Sequence, residues 1–216
     1  MLTVQKFTFN HFSENTYVIY AENKDAVIID PGCFGRDEEN KLVDFIGHNN
    51  LIIKRLLNTH AHIDHVFGNK FCADKWNLKL ELHEKDIPTL KRMSAAAELW
   101  GIKGFVESPL PELFLDEGQK IILGNNTLDI VFVPGHAPGH VAFISHQQKF
   151  VIGGDVLFEG SIGRTDLPGG SLEVLMQSIK NKFLVLDDAY VVYSGHGNET
   201  TIGRERKTNP YILEYC

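Results

Sequence analysis

The chain has 216 residues, 43% hydrophobic and 23% charged, with a formal net charge of −7 when histidines are neutral. That is enough for one domain with a real core. No run approaches the roughly 18 apolar residues of a membrane helix, and no Lys/Arg cluster supplies the positive footprint of a nucleic-acid binder. Cys33, Cys72 and Cys216 form no CxxC pair, which argues against a disulfide framework and for a reducing compartment.

The start, Met1 to Phe7, lacks the basic flank, long apolar core and cleavage site of a signal peptide, so a cytoplasmic protein is expected. Residues 2–9 alternate loosely and read as a strand. Residues 17–21 and 26–29 read as two more, the last running into the turn signal Asp30-Pro31-Gly32. Asp30 is either a functional group at a strand end or a simple turn cap. This opening is a meander and not a β-α-β unit. Residues 37–47 carry Leu42, Val43, Phe45 and Ile46 among charged neighbours and read as an amphipathic helix.

A β-rich run over 51–57 then delivers Asn58-Thr-His-Ala-His-Ile-Asp-His-Val-Phe-Gly68. His60, His62, Asp64 and His65 are metal ligands of the kind that suit zinc, iron or manganese. Buried His and Asp cost free energy unless partnered, so so dense a run is a poor packing device. Residues 69–77 read as a short helix and 78–82 as a short strand. Residues 84–115 differ in character: Thr89 to Trp100 reads as a helix with Met93, Ala96, Ala97 and Trp100 on one face, and Pro109 and Pro111 mark a loop. This insertion is either a cover for the site or a peripheral turn.

Strands resume at 119–123 and 127–133 around the turn Gly124-Asn125-Asn126, and the second ends in Pro134-Gly-His136-Ala-Pro-Gly-His140. Strands at 141–145 and 150–152 follow, the last ending in Gly153-Gly154-Asp155. Ser171 is a candidate N-cap for a helix striped by Leu172, Leu175, Met176 and Ile179. The strand 190–193 runs into Ser194-Gly195-His196-Gly197, and the remaining residues read as one short helix and a tail. Strands 51–57, 128–133, 150–152 and 190–193 thus each end in His or Asp, and two sheets packed face to face with outer helices are expected.

His60, His62, Asp64, His65, His136, Asp155 and His196 are too many for one tetrahedral zinc and suit two nearby ions with one bridging carboxylate. The stretches Thr59 to His65, Gly135-His136, Gly153-Gly154-Asp155 and Ser194 to Gly197 resemble the metal motifs of the metallo-β-lactamase fold hydrolases. The resemblance covers essentially the whole chain. It implies an α/β fold, a four-layer αββα sandwich, as a single domain over 1–216 with the partly helical insertion at about 84–115. It also implies His60, His62 and His136 on one ion, Asp64, His65 and His196 on the other, and Asp155 bridging.

Gly135 to His140, Gly154 to Phe158 and Gly163-Arg164-Thr165-Asp166 further resemble the short single-domain bacterial members of the glyoxalase II group, the hydroxyacylglutathione hydrolases. Full-length members hold glutathione with a C-terminal helical domain and with a Lys and a Tyr that fall where this chain has Arg164 and Asp166. Little chain follows His196, so no strong glutathione preference is expected.

The implied function is hydrolysis of small thioesters by two divalent ions, zinc first, iron or manganese next. Asp64 orients the hydroxide, and Arg164 meets an anionic group or holds an Asp. His140 either hydrogen-bonds near the metals or is an ordinary histidine at a strand start. The Gly-Arg-Thr-Asp stretch is also similar to mononuclear-iron persulfide dioxygenases, one alternative; a non-catalytic metal-binding scaffold is another. A small-molecule thioester is the expected partner, with neither nucleic acid nor membrane, and the sequence leaves the oligomeric state open.

Overall fold

The computed structural model describes residues 1–216, which divide into two compact units: Met1–Phe114 with Leu123–Asn126, and Leu115–Ile122 with Thr127–Cys216. No helix is long and apolar enough to cross a membrane.

In the first unit, strands β1 (Leu2–Phe9), β2 (Glu14–Ala21), β3 (Asp25–Ile29), β4 (Ile52–Leu57), β5 (Leu80–Leu82) and β6 (Leu113–Phe114) form one sheet in that order. The first three are antiparallel and the rest parallel. The parallel pairs need crossovers, and helices supply most of that chain. Helix α1 (Arg36–His48) leads from β3 to β4; α2 (Ile63–Val66) and α3 (Asn69–Trp76) lead to β5. Asp37, Glu38 and Glu39 place negative charge at the first turn of α1, where the helix dipole favours it. Leu42 and Ile46, one turn apart, bury its inner face in a core with Val18, Ile28, Leu56 and Leu80.

The expected helix at 89–100 is two short ones, α4 (Ile87–Leu90) and α5 (Met93–Leu99), after a 3₁₀ turn at Glu84–Asp86. Met93 and Ala97 are buried as their spacing requires, but Trp100 lies beyond the helix and is 52% exposed.

In the second unit the sheet order is β14-β13-β10-β9-β8-β7, from β7 (Lys120–Leu123), β8 (Asn126–Phe132), β9 (Val141–Ser145), β10 (Phe150–Gly154), β13 (Val191–Ser194) and β14 (Thr200–Thr201). A small pair, β11 (Leu157–Phe158) and β12 (Ser161–Ile162), follows β10. Helix α6 (Leu172–Ser178) starts at Ser171, whose Oγ accepts the Val174 amide, and passes into a π-helical turn at Ile179–Phe183. Its buried side chains Leu175, Met176, Ile179 and Phe183 join Val133, Val151 and Val192 in the core. The C-terminal segment holds two short helices, α7 (Ile202–Thr208) and α8 (Pro210–Tyr215), where one was expected.

Candidate metal centre

Parallel pairing of β3 with β4 brings the ends of both strands side by side, Ile29 opposite Leu57. Asp30 follows Ile29 directly and adopts φ 50°, which Asp tolerates better than most residues. Its carboxylate organises the ligand loop. Oδ1 accepts the Thr59 amide at 2.7 Å and the Asn58 side-chain amide at 3.2 Å. Oδ2 accepts the Thr59 hydroxyl at 2.6 Å and His65 Nδ1 at 3.1 Å. With its one proton given to Asp30, the Thr59 oxygen can only accept from His60 Nδ1, 3.0 Å away. Both imidazoles therefore carry their proton on Nδ1 and present the Nε2 lone pair, the tautomer a metal ligand needs.

His60 and His65 are fully buried, with ring centroids 4.1 Å apart; His60 and His62 are 4.8 Å apart. Asp64 and His65 lie on α2, and Asp64 Oδ2 is 3.7 Å from His65 Nε2. Asp30, His60 and His65 also have donor atoms within 4.8 Å of one another. The four hydrogen bonds on Asp30 make it the orienting group of that trio.

Residues the sequence did not single out complete this unit's contribution. Asp86, fully buried in the 3₁₀ turn, accepts the Ala61 amide at 2.8 Å, and Ser108 Oγ accepts the Asn69 side-chain amide at 2.9 Å. The segment at 84–115 is thereby fastened to the ligand loop. Glu14 is fully buried; Oε2 accepts the Thr16 hydroxyl at 2.9 Å, and Oε1 is 3.8 Å from His65 Nδ1. Burial pushes its carboxyl well above the usual range, with His65 pulling the other way.

In the second unit His136, Asp155 and His196 follow β8, β10 and β13. His136 Nδ1 donates to the Arg164 carbonyl at 2.7 Å, so its lone pair also sits on Nε2. Asp155 Oδ2 is 3.4 Å from His136 Nε2 and 3.6 Å from His196 Nε2. Hydrogen bonds of this type run roughly 2.7–3.2 Å. Donors each ~2.1 Å from one tetrahedral ion are instead about 3.4 Å apart. The spacing and the chemistry of the donors fit a divalent cation.

A bulge in β10 between Ile152 and Gly154, with Gly154 at φ 50°, turns the chain just before Asp155. His140 Nε2 accepts the Asp155 amide at 3.0 Å, which puts its own proton on Nδ1. His140 is thus in direct contact with the backbone of Asp155. Gly163 permits a close approach no side chain could share: a Cβ there would lie 1.9 Å from the Asp155 carbonyl oxygen and 3.1 Å from His136 Nδ1.

Arg164 is 61% exposed and its guanidinium pairs with Asp166 through two hydrogen bonds of 2.7 Å. That contact holds the Asp166 carboxyl down to about 2. The histidines outside the motifs have local partners: His48 with the Asp44 carbonyl, His83 with the Lys85 amide, His146 with Tyr190.

Within each unit these side chains are candidate metal ligands. The description "Metallo-beta-lactamase superfamily" matches residues 10–196. The chain is 38% identical over 207 residues to "Hydroxyacylglutathione hydrolase GloC" of Haemophilus influenzae, covering 93% of both chains. It is 36% identical over 202 residues to "Probable metallo-hydrolase YqgX" of Bacillus subtilis, covering 92% of both.

Among solved structures, BLEG-1 B3 metallo-beta-lactamase superposes with a TM-score of 0.87 at 33% identity, over 97% of this chain and 99% of that one. TTHA1623 in a di-iron-bound form superposes at 0.86 and 37% identity, over 96% and 100%. The two mixed sheets are those of the expected α/β sandwich, shared with glyoxalase II-like and other metallo-hydrolases. The chain belongs to the metallo-beta-lactamase superfamily.

Proposed function

We propose that this protein is a binuclear metal-dependent hydrolase of small thioesters. His60, His62 and His136 would hold one divalent ion and Asp64, His65 and His196 the other, with Asp155 shared between them; zinc is the first choice, iron or manganese the next. The carrying observation is the imidazole hydrogen bonding: Nδ1 of His60, His65 and His136 each meets an oxygen acceptor, reserving Nε2 for a metal. A 37% identical relative is described in a di-iron-bound form. The name of the Haemophilus influenzae relative supports the thioester class.

Two divalent ions held there would supply hydroxide near neutral pH and polarise the attacked carbonyl. The chain's own groups do the rest. Asp64, partly exposed beside His65, orients the attacking water and can accept its proton. His140 holds the Asp155 backbone through the amide, keeping the bridging carboxylate in place. Arg164 is exposed although paired with Asp166, and would meet an anionic part of the substrate in competition with that carboxylate. A thioester suits this set because thiolate leaves with little acid assistance.

The test is metal analysis of natively purified protein, coupled to hydrolysis of one acyl group on glutathione, coenzyme A and N-acetylcysteamine. Two ions per chain and turnover of all three are expected. The expected glutathione preference is below a hundredfold, roughly 2.7 kcal/mol of discrimination. Absence of thioester turnover at full metal occupancy would overturn the reading.

A further inference from the structure

Phe67 closes the ligand loop, one turn of helix beyond Asp64, so the two side chains share a face. Its ring is the hub of an aromatic group. Phe34, Phe105, Phe12 and His11 surround it at centroid distances of 4.6, 6.0, 6.2 and 6.3 Å. Phe67 is buried, Phe34 and Phe105 are half-buried, and Phe12 is 38% exposed. The group is thus closed at its base and open at its rim.

The rim is held in place. Asn10, at φ 49° in the β1–β2 turn, donates from its side-chain amide to the carbonyls of Gly32 at 2.9 Å and Asp64 at 3.1 Å. Its Oδ1 accepts the Phe12 amide at 2.9 Å, and its own amide donates to Glu38 at 2.9 Å. The turn that presents Phe12 is therefore tied to the backbone of Asp64. A Phe ring left partly in water forgoes part of the gain from burying apolar surface, and a ligand covering it would recover that remainder.

We propose that this aromatic shelf, Phe12, Phe34 and Phe105 around Phe67, binds the acyl part of the substrate and selects aryl or medium-chain acyl thioesters over small hydroxyacyl ones. The inference rests on the thioester reading and names its substrate class. The acyl group is the part bonded directly to the attacked carbonyl, so it lies within one helical turn of Asp64. The thiol carriers are polar or charged and need hydrogen-bonding partners that the rings lack.

The test compares kcat/KM for phenylacetyl, hexanoyl, lactoyl and acetyl thioesters on N-acetylcysteamine, in the metal-loaded wild type, in Phe12→Ala and in Val185→Ala, an exposed apolar control in the other unit. The expected phenylacetyl-to-acetyl ratio is about tenfold or more in the wild type and in Val185→Ala. In Phe12→Ala it should fall toward one. A wild-type ratio near one, or a ratio unchanged by Phe12→Ala, overturns the shelf.

A second measurement is binding of N-(2-hydroxyethyl)phenylacetamide, which has no thioester to cleave, against its acetamide counterpart. Phe12→Ala should weaken the phenylacetamide about tenfold and leave the acetamide near its wild-type value; equal affinities overturn the shelf. If no thioester is hydrolysed, the hydrolase reading fails and this binding comparison still decides the shelf.

Discussion

Asp30→Asn is expected to weaken metal binding at both proposed sites without unfolding the protein. The substitution keeps the side chain's shape, and Asn tolerates the φ of 50° at this position. What it changes is the number of acceptors. Asp30 receives hydrogen bonds on both oxygens, from the Thr59 amide at 2.7 Å on one and from the Thr59 hydroxyl and His65 Nδ1 on the other. An amide flipped either way points an NH₂ at a donor.

With the NH₂ in the Oδ2 position, relief requires both rotating the Thr59 hydroxyl and moving the His65 proton to Nε2. The first removes the acceptor for His60 Nδ1, and the second places a hydrogen where a metal would bind. Loss of such an orienting partner ordinarily costs 10- to 100-fold in metal affinity, about 1.4–2.7 kcal/mol. Chelator-competition titration should show binding weakened by up to that factor at both sites, and long-range ¹⁵N NMR of the imidazoles should show a changed tautomer at His60 or His65. Wild-type affinity for both ions together with an altered tautomer would refute the link between imidazole orientation and binding. An unaltered tautomer would refute the hydrogen-bond assignment itself.

Gly163→Ala should lower the melting temperature, by about 1–3 kcal/mol of overpacking, because the added methyl would meet the Asp155 carbonyl at 1.9 Å; calorimetry on the metal-free protein checks it, and an unchanged midpoint counts against the close approach. Asp155→Ala should abolish hydrolysis while circular dichroism shows a folded chain in excess metal, and near-normal turnover would mean the bridge is misassigned. Arg164→Ala should raise KM for anionic substrates more than it lowers kcat. In the same variant the Asp166 carboxyl should rise from about 2 toward 3.8 by NMR titration. A carboxyl depressed in the folded state stabilises above its unfolded pKa and loses that contribution as pH falls through its folded value. The pH dependence due to this pair is therefore confined to the window between about 3.8 and about 2, and its contribution is fully present at neutral pH.

The candidate donors were legible because metal chemistry concentrates unusual residues at strand ends: His60 to His65, His136, Asp155 and His196 stand out in the sequence alone. The groups that aim them were not. Asp30 read equally well as a turn cap, since its role depends on β3 and β4 pairing in parallel and bringing residue 30 beside residue 59. Glu14 and Asp86 are acids in ordinary polar contexts along the chain; only the tertiary fold reveals that both are fully buried. The helix at 89–100 was right about the inward spacing of Met93 and Ala97 and wrong about Trp100 and about its continuity. Lys91 and Arg92 part it in two, and periodicity alone does not register such a break.

The bond from the Ala61 amide to Asp86 sets a limit on motion. Any swing of the segment between β5 and β6 that carries Asp86 away must first uncover that amide, and a bond to a charged acceptor contributes about 1.5–3 kcal/mol. From this one contact the open form would hold between about one molecule in ten and one in a hundred. A gate built from residues 84–115 would stand shut at rest. Opening it would release the backbone between His60 and His62, so admitting a ligand by that route would loosen the donors meant to act on it.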